Sequence, residues 1–172
     1  IAFIDIYSFD VAIIIINYNT AKYTIDCIRA VQEKSVSGVT YQVIVVDNNS
    51  ELDDYQYLCR NFPKQENFVL HRSVINTGFG GGNMLGVPYA NARYLLFLNN
   101  DAMLLNDSLR LLTNFMDSHK NVGVCTAQNY DENHNFVPSF DHNKGLRRLL
   151  FGRGFLEKMN PSRFPKRKKE YS

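Results

Sequence analysis

Apolar runs of strand length alternate along the chain with segments whose apolar residues recur at helical spacing. Val11 to Asn17 is a largely β-branched run, which is typical of a strand buried on both faces. The same pattern predicts further strands over 41–47, 68–71, 94–98 and 122–127, and helices over 21–33, 53–61, 79–92 and 108–119. This alternation predicts an α/β domain with a mostly parallel sheet covered by helices on both faces.

Residues with special backbone preferences predict where some of these elements begin and end. Thr20 can serve as the N-cap of the first helix, and Pro88 predicts a kink or an early end in the third helix. Residues 129–135 are all turn-forming or polar, which predicts a hairpin or loop with a returning strand over 136–140. Beyond Asn143 the pattern becomes irregular and basic.

The chain has the size of one domain. Its 172 residues, 45% of them hydrophobic, suffice for one buried core. No apolar run approaches the ~20 residues that a membrane-spanning helix needs, so we expect a cytoplasmic protein, either free in solution or peripheral at the inner face of the membrane. Residues 1–10 do not resemble a secretory signal and are expected to form a short extension. One binding domain over 11–143 and a basic linker or tail over 144–172 are expected to follow it.

The distribution of charge suggests possible partners, and the cysteine spacing excludes some kinds of site. The net charge of +2 conceals nine Lys or Arg against fifteen Asp or Glu over residues 1–143, and ten against two over residues 144–172. The basic segment is expected either to meet anionic lipid, phosphate or nucleic acid, or to be a solvated tail. Cys27, Cys59 and Cys125 form no Cys-x-x-Cys pair, which argues against a zinc ribbon or a disulfide framework.

Four polar clusters follow predicted strands, at the edge of a parallel sheet where ligands usually bind. Loops converge at that edge, and helix N-termini present unpaired N–H groups there. The clusters are Asn17-Tyr18-Asn19-Thr20, Asp47-Asn48-Asn49-Ser50, Asn76-Thr77-Gly78-Phe79-Gly80-Gly81-Gly82-Asn83 and Asn99-Asn100-Asp101. Their convergence predicts a binding site at this edge of the sheet.

The clusters also have structural interpretations. Residues 47–50 can form a turn whose side chains bond to their own backbone, and a helix N-cap can explain residues 99–101. The glycine cluster has neither dinucleotide nor P-loop spacing, which disfavours an NAD or ATP site. Three consecutive glycines nevertheless favour the close approach of a ligand. Asp101, flanked by amides, suits a hard cation that takes its remaining ligands from phosphates.

At these clusters the sequence resembles the family 2 glycosyltransferases, and within them the rhamnosyltransferase-like branch. The matching stretches are VAIIIINYN (11–19), VIVVDNNS (43–50), NTGFGGGN (76–83) and YLLFLNNDA (94–102), in the order and spacing of the family. Gly152-Arg153 and residues 160–165 resemble a linker of that branch. The resemblance implies a GT-A fold, in which a nucleotide diphosphate sugar lies across the strand ends and an inverting displacement transfers the sugar.

The resemblance also implies roles for individual residues. Residues 17–19 would border the base, and Asp47 would hydrogen-bond base or ribose. Residues 78–83 would close over the nucleoside. Asn99 stands where many relatives have the first acid of an Asp-x-Asp element, which implies contact with the ribose. Asp101 matches the second acid and would bind Mg²⁺ or Mn²⁺ bridging the diphosphate. The implied substrate-binding residues are Asn17, Tyr18, Asn19, Asp47, Asn49, Gly78, Gly82, Asn83, Asn99 and Asn100.

Catalysis in such a site needs two activations. The cation would neutralise charge on the departing nucleotide diphosphate, and a general base would deprotonate the acceptor hydroxyl. In the family the base follows the linker, and no residue of this sequence matches it. The chain is therefore expected to hold the donor-binding half and to lack the acceptor-side half.

The partners that follow from the resemblance are small molecules rather than nucleic acid. They are a dTDP-, UDP- or GDP-linked sugar and a saccharide or lipid-linked acceptor of cell-surface polysaccharide synthesis. Two other classes remain open, a nucleotidyltransferase and a non-catalytic nucleotide-sugar-binding module. Asn17-Tyr18-Asn19 counts against the first, because nucleotidyltransferases usually carry a glycine-rich basic motif after the first strand.

Overall fold

The computed structural model of the chain describes residues 7–36 and 38–137. These residues fall in two units that divide between Gly123 and Val124. The helices and strands of the first unit are, in chain order, β1 (Phe9–Asn17), α1 (Ala21–Lys34), β2 (Tyr41–Asp47), α2 (Leu52–Asn61), β3 (Phe68–Arg72), α3 (Gly78–Gly86), a 3-10 turn (Val87–Tyr89), β4 (Ala92–Leu98) and α4 (Ser108–Ser118). The second unit contains β5 (Asn129–Tyr130) and β6 (Phe136–Val137).

The first unit is built on a four-stranded sheet that is parallel throughout. The strand order is β3-β2-β1-β4, with Val11 of β1 opposite Tyr41 of β2 on one side and Tyr94 of β4 on the other. Because all four strands run in one direction, their carboxyl ends lie along the same edge. The predicted α/β architecture with a mostly parallel sheet is confirmed.

Alternate residues of β1 and β2 feed two separate apolar layers. Ile13 and Ile15 pack on one face with Ile25 and Ile28 of α1. Ile14 packs on the opposite face in a cluster that includes β2 residues and Leu85 and Val87, in and just after α3. The sheet is therefore covered on both faces, which is why β1 has almost no polar position.

Two glycines of α3 let that helix lie directly on the sheet. A Cβ at Gly86 would stand 2.7 Å from Ile14 Cγ2, and one at Gly82 would stand 3.2 Å from Ile16 Cγ2. Both distances are too short for an undisturbed side chain. Packing of the helix on the sheet therefore accounts for Gly82, whereas the sequence pattern suggested the approach of a ligand for all three consecutive glycines.

The predicted helix over 79–92 ends early, which is one of the two outcomes that Pro88 predicts. The α-helix stops at Gly86, and Val87–Tyr89 form a 3-10 turn before β4 begins at Ala92. Proline has no N–H to donate to the carbonyl one turn earlier, so the α-helix cannot continue through it.

The prediction of a strand over 122–127 is wrong, while the predicted hairpin is confirmed. Val124 is 88% exposed and Gly123 interrupts the run, so this segment offers no continuous face to bury. β5 and β6 pair antiparallel, and Asp131 accepts hydrogen bonds from the backbone of Asn133 and Asn135 in the turn. Of the predicted returning strand, residues 138–140 lie outside the described residues.

Three other expectations concern residues that the structure does not describe. They are the first six residues of the extension expected over 1–10, the basic segment over 144–172 and the linker-like residues within it, whereas Phe9 and Asp10 of that expected extension belong to β1. Within the described ranges, no helix is long and apolar enough to cross a membrane.

Candidate functional site

A cleft of about 580 Å³ lies at the carboxyl edge of the sheet. It is lined by residues from all four polar clusters, which confirms that these loops converge. The lining residues are Ile16, Tyr18, Thr20, Asn48, Asn76, Gly78, Phe79, Asn99, Asn100 and Asp101. Five of the residues implied by the resemblance are among them, namely Tyr18, Gly78, Asn99, Asn100 and Asp101.

Asn17, at the end of β1, is fully buried and does not line the cleft. Its Nδ2 donates to Asp47 Oδ1 and to Asp54 Oδ2, both at 2.9 Å. Its Oδ1 accepts from the hydroxyl of Thr24 at 2.8 Å. The amide thus separates two carboxylates that would otherwise face each other, and its polar atoms are engaged by the protein.

Thr20 occupies the N-cap position of helix α1, as predicted, but its side chain makes no capping hydrogen bond. The N–H of Ala21 instead donates to Asp54 Oδ1 at 2.9 Å, so a carboxylate from α2 takes the place of the N-cap side chain. Thr20 Oγ1 accepts from Asn100 Nδ2 at 2.7 Å. A carboxylate at a helix N-terminus interacts favourably with the helix dipole, which favours Asp54 in this role.

Asn19 and Asn49 are turn residues in the left-handed region, with φ of 55° and 67°. Asparagine tolerates this conformation better than most residues. Asn19 Oδ1 accepts from the N–H of Glu51 at 2.8 Å, which ties the loop after β1 to the loop after β2. Asn49 is exposed, and neither residue lines the cleft.

Asp47 is fully buried and pairs with Arg72 at the end of β3. Arg72 Nε lies 3.4 Å from Asp47 Oδ2, and its Nη2 donates to the carbonyl of Ser50 at 3.0 Å. The guanidinium also lies 4.1 Å from the centre of the Tyr55 ring, a cation–π contact. Asp47 therefore holds the β2 and β3 loops together, with Asn17 on one side and Arg72 on the other.

Asn48 joins the loop after β2 to the glycine cluster. Its Nδ2 donates to Asn76 Oδ1 at 3.0 Å and to the carbonyl of Gly78 at 3.2 Å. Its Oδ1 accepts from both the N–H and the hydroxyl of Thr77 at 3.0 Å. Gly78 has a φ of 70°, a conformation that favours glycine. Asn83 is buried within α3, where its Nδ2 donates to the carbonyl of Phe79.

The loop after β4 carries exposed and anchored residues side by side. Asn99 and Asp101 are exposed, whereas Asn100 Nδ2 donates to the hydroxyls of Thr20 and Thr24 at 2.7 and 3.0 Å. The thiol of Cys27 lies 3.6 Å from the carbonyl of Asn99. Burial, and secondarily the negative charge of Asp101, raises the pKa of Cys27 to about 12. Cys27 is therefore a neutral thiol that packs under this loop.

The donor set of the cleft fits a divalent cation that is completed by a ligand. Asp101 is the only carboxylate among the lining residues, and the described part of the chain contains no group of three or more His, Cys, Asp or Glu suited to a metal. A single carboxylate beside amide groups suits Mg²⁺ or Mn²⁺ when a diphosphate supplies further oxygens. A structural zinc site, by contrast, needs four protein ligands.

Sequence reasoning missed several residues of the site. Asn48, Asn76 and Phe79 lie in the clusters but were given no individual role, and Arg72 was not selected at all. The rule that ligands and polar groups gather where parallel strands end would have found Arg72, because it is the last residue of β3. The sequence around Asp54 gives no sign of its role, because its partners Asn17 and Ala21 lie more than 30 residues earlier in the chain.

Comparison with known proteins adds a family and a fold. The model described as glycosyl transferase family 2 matches residues 12–167. The minor teichoic acid biosynthesis protein GgaB of Bacillus subtilis (strain 168) is 26% identical over 116 residues, covering 67% of this chain and 13% of that protein. The abequosyltransferase RfbV of Salmonella typhimurium is 24% identical over 113 residues, covering 63% of this chain and 33% of that protein. The chain thus spans a third or less of the length of these relatives.

Among solved structures, S. aureus TarS 1-349 matches with a TM-score of 0.56 and 20% identity, over 64% of this chain and 33% of that chain. The same TarS fragment is also known in complex with UDP and in complex with UDP-GlcNAc. At this level of identity the likeness shows the fold alone. The GT-A fold that the family resemblance implied is confirmed.

Proposed function

Since this chain belongs to glycosyl transferase family 2, we propose that its cleft binds a nucleotide diphosphate sugar for transfer to a saccharide or lipid-linked acceptor. The observation that carries the proposal is the position of Asp101. Its exposed carboxylate stands in a cleft at the carboxyl edge of the sheet, with Asn99 and Asn100 beside it. A diphosphate held there would lie between this carboxylate and the glycine cluster.

Asp101 would hold a divalent cation together with the diphosphate. When bound, such a cation supplies Lewis-acid stabilisation of the charge that develops on the leaving nucleotide diphosphate. Asn100 supports Asp101 from the neighbouring position, because its side chain is fixed by two threonine hydroxyls. The protein's part is to keep the carboxylate at the cleft and to orient the diphosphate against it.

Exposed lining residues are the proposed direct contacts of the nucleoside. Tyr18 and Phe79 are 48% and 63% exposed and line the cleft, so each offers a ring against which a base can stack. Asn99 offers hydrogen bonds to the ribose. The contacts favour a supporting role for Asn17, Asn19 and Asp47, because protein groups already engage the buried side chains of Asn17 and Asp47 and the Oδ1 of Asn19.

The relatives guide the choice of substrates to test. One is named a minor teichoic acid biosynthesis protein and another an abequosyltransferase, which supports a role in cell-surface polysaccharide synthesis. TarS is known with UDP and UDP-GlcNAc, which makes UDP the first nucleotide to test, beside dTDP and GDP. An inverting displacement and membership of the rhamnosyltransferase-like branch remain predictions from the sequence resemblance.

The experiment is calorimetric titration of the protein with UDP, dTDP and GDP in Mn²⁺ and in chelator. We expect the preferred nucleotide to bind at least ~10-fold more tightly with Mn²⁺, because the cation offsets the repulsion between diphosphate and carboxylate. Asp101→Asn should lose this gain. The matched control is Asp53→Asn, which alters an exposed aspartate of α2 outside the cleft and should retain it. Equal affinity in Mn²⁺ and chelator for the wild-type protein would refute the metal-coupled site.

The basic segment over 144–172 is proposed to hold the protein at anionic membranes. Its ten Lys or Arg against two Asp or Glu suit attraction to acidic headgroups, which would bring the cleft near a lipid-linked acceptor. The segment lies outside the described residues, so charge alone supports this part of the proposal.

A further inference from the structure

Side-chain contacts form a continuous series at the carboxyl edge of the sheet, next to the cleft. It passes from Arg72 to Asp47, from Asp47 to Asn17, from Asn17 to Thr24 and from Thr24 to Asn100. Its members stand at the carboxyl ends of β3, β2 and β1, in the first turn of α1 and just after β4. This series of contacts therefore joins the loops on the nucleoside side of the proposed site to the loop that carries Asp101.

In this series of contacts, the hydroxyl of Thr24 alone connects Asn17 to Asn100. The Thr24 side chain is fully buried, and the single hydrogen of its hydroxyl is directed to Asn17 Oδ1 at 2.8 Å rather than to the carbonyl of Thr20, which lies at 3.4 Å. The hydroxyl oxygen is therefore left to accept from Asn100 Nδ2 at 3.0 Å. Removing the hydroxyl would leave a buried acceptor on Asn17 unpaired and would release one of the two anchors of Asn100.

We propose that Thr24 is a positioning residue, which locks the loop carrying Asp101 to the buried Asp47–Asn17 pair so that the cation and nucleoside ends of the donor site are held in register. The inference rests on the proposed function, and it assigns to a helix residue outside the cleft lining a specific effect on metal-coupled binding. Thr24 does not line the cleft but holds Asn100, so we expect its effect on metal coupling to pass through the loop that carries Asp101.

The test compares Thr24→Val with wild type by calorimetry, with UDP in Mn²⁺ and in chelator. Valine keeps the shape of threonine and removes only the hydroxyl. We expect the Mn²⁺-dependent gain in UDP affinity to fall by ~5- to 10-fold, the loss expected for one hydrogen bond. The UDP dissociation constant in chelator should change by less than ~2-fold. Thr24→Ser, which keeps the hydroxyl, should restore the gain.

The matched control is Thr113→Val in α4. Thr113 is also buried, and its hydroxyl makes no hydrogen bond among the described residues, so valine should leave both metal coupling and stability intact. If Thr24→Val does not fold, Thr24→Cys replaces the hydroxyl by a thiol, which is a weaker hydrogen-bonding group, and should lose part of the same Mn²⁺-dependent gain.

Two outcomes would overturn the inference. One is unchanged metal coupling in a folded Thr24→Val or Thr24→Cys protein. The other is an equal loss of UDP affinity in Mn²⁺ and in chelator that Thr24→Ser does not repair, which is the signature of general structural damage. A wild-type protein that binds no nucleotide in either condition would refute the proposed function itself.

Discussion

The buried thiol of Cys27 shows how one residue can report on the loop above it. Burial and the nearby charge of Asp101 raise its pKa to about 12, so the folded protein keeps this thiol protonated well above neutral pH. The unfolded chain releases the proton near pH ~8.5. The pKa of this thiol in the folded protein lies above its pKa in the unfolded chain. Its contribution to stability is therefore complete below the unfolded pKa and is lost as the pH rises towards the folded pKa.

Cys27 is therefore expected to make the protein sensitive to alkali. Between pH 7.5 and 10 the wild-type protein should lose about 2 kcal/mol more of its free energy of unfolding than Cys27→Ala, at ~1.4 kcal/mol per pH unit above the unfolded pKa. Urea unfolding of both proteins at the two pH values, with reductant, measures this difference. Tyr and Lys residues titrate in both proteins and cancel, so equal losses would contradict the prediction.

At this scale the sequence predicts exposed site residues better than buried ones. Asn99, Asn100 and Asp101 were located because they directly follow an apolar strand, and the structure places all three at the cleft. Asn17 and Asp47 also end strands, but whether such a side chain meets a ligand or a neighbouring loop depends on what the other loops place beside it. For Asn17 that neighbour is Asp54, whose carboxylate accepts a hydrogen bond from the Asn17 side chain. The two residues lie 37 positions apart and meet only in the folded protein.

At the scale of elements, α3 is defined by glycines that serve different ends. Gly86 allows the helix to touch Ile14 and Val46, whereas Gly80 has open space around its Cα. We expect Gly86→Ala to lower the free energy of unfolding by ~1–3 kcal/mol through overpacking. Gly80→Ala should be neutral or stabilise by up to ~1 kcal/mol, because alanine favours the helix.

Urea unfolding of the two variants beside wild type distinguishes the two kinds of glycine. Both substitutions add one methyl group to the same helix, so any general effect of alanine is shared. Gly86→Ala as stable as wild type would mean that the helix can lift from the sheet at little cost. Gly80→Ala with a large loss would mean that the start of α3 carries a constraint that its open surroundings do not reveal.

Element order was predictable because hydrophobic periodicity records burial directly. The predicted bounds of α1 and β2 agree with the structure to within one residue at each end. The errors have a common cause, which is that local signals compete with tertiary contacts. Thr20 has the right residue type for a cap, yet Asp54 supplies the bond. Residues 122–127 have strand-like composition, yet a strand also needs a partner and a face to bury.

At the scale of the whole molecule, charge is divided between an acidic part over 1–143 and a basic part over 144–172. The protein should co-sediment with vesicles that contain anionic lipid at low salt, and release as the salt concentration rises. Replacing Lys166, Arg167, Lys168 and Lys169 by Gln should weaken binding by at least ~10-fold, at about 1 kcal/mol per charge near the surface.

The control for this experiment replaces four exposed lysines of the first unit by Gln, which gives the same change of net charge. They are Lys22, Lys34, Lys64 and Lys120. Unchanged binding by this control with loss in the first variant would place the membrane contact in the basic segment. Equal losses would instead point to net charge alone, and equal binding to neutral vesicles would exclude headgroup attraction.

The central place of β1 in the sheet also has a consequence for biosynthesis. Val11 pairs with Tyr41, 30 positions later, and with Tyr94, 83 positions later. At ~5–20 residues per second, a ribosome needs roughly 4 to 17 s between synthesising β1 and its second neighbour, β4. Throughout that interval one edge of an isoleucine-rich strand has no partner. Such a segment can pair with those of other nascent chains, so we expect β1 to be the segment most exposed to aggregation during translation.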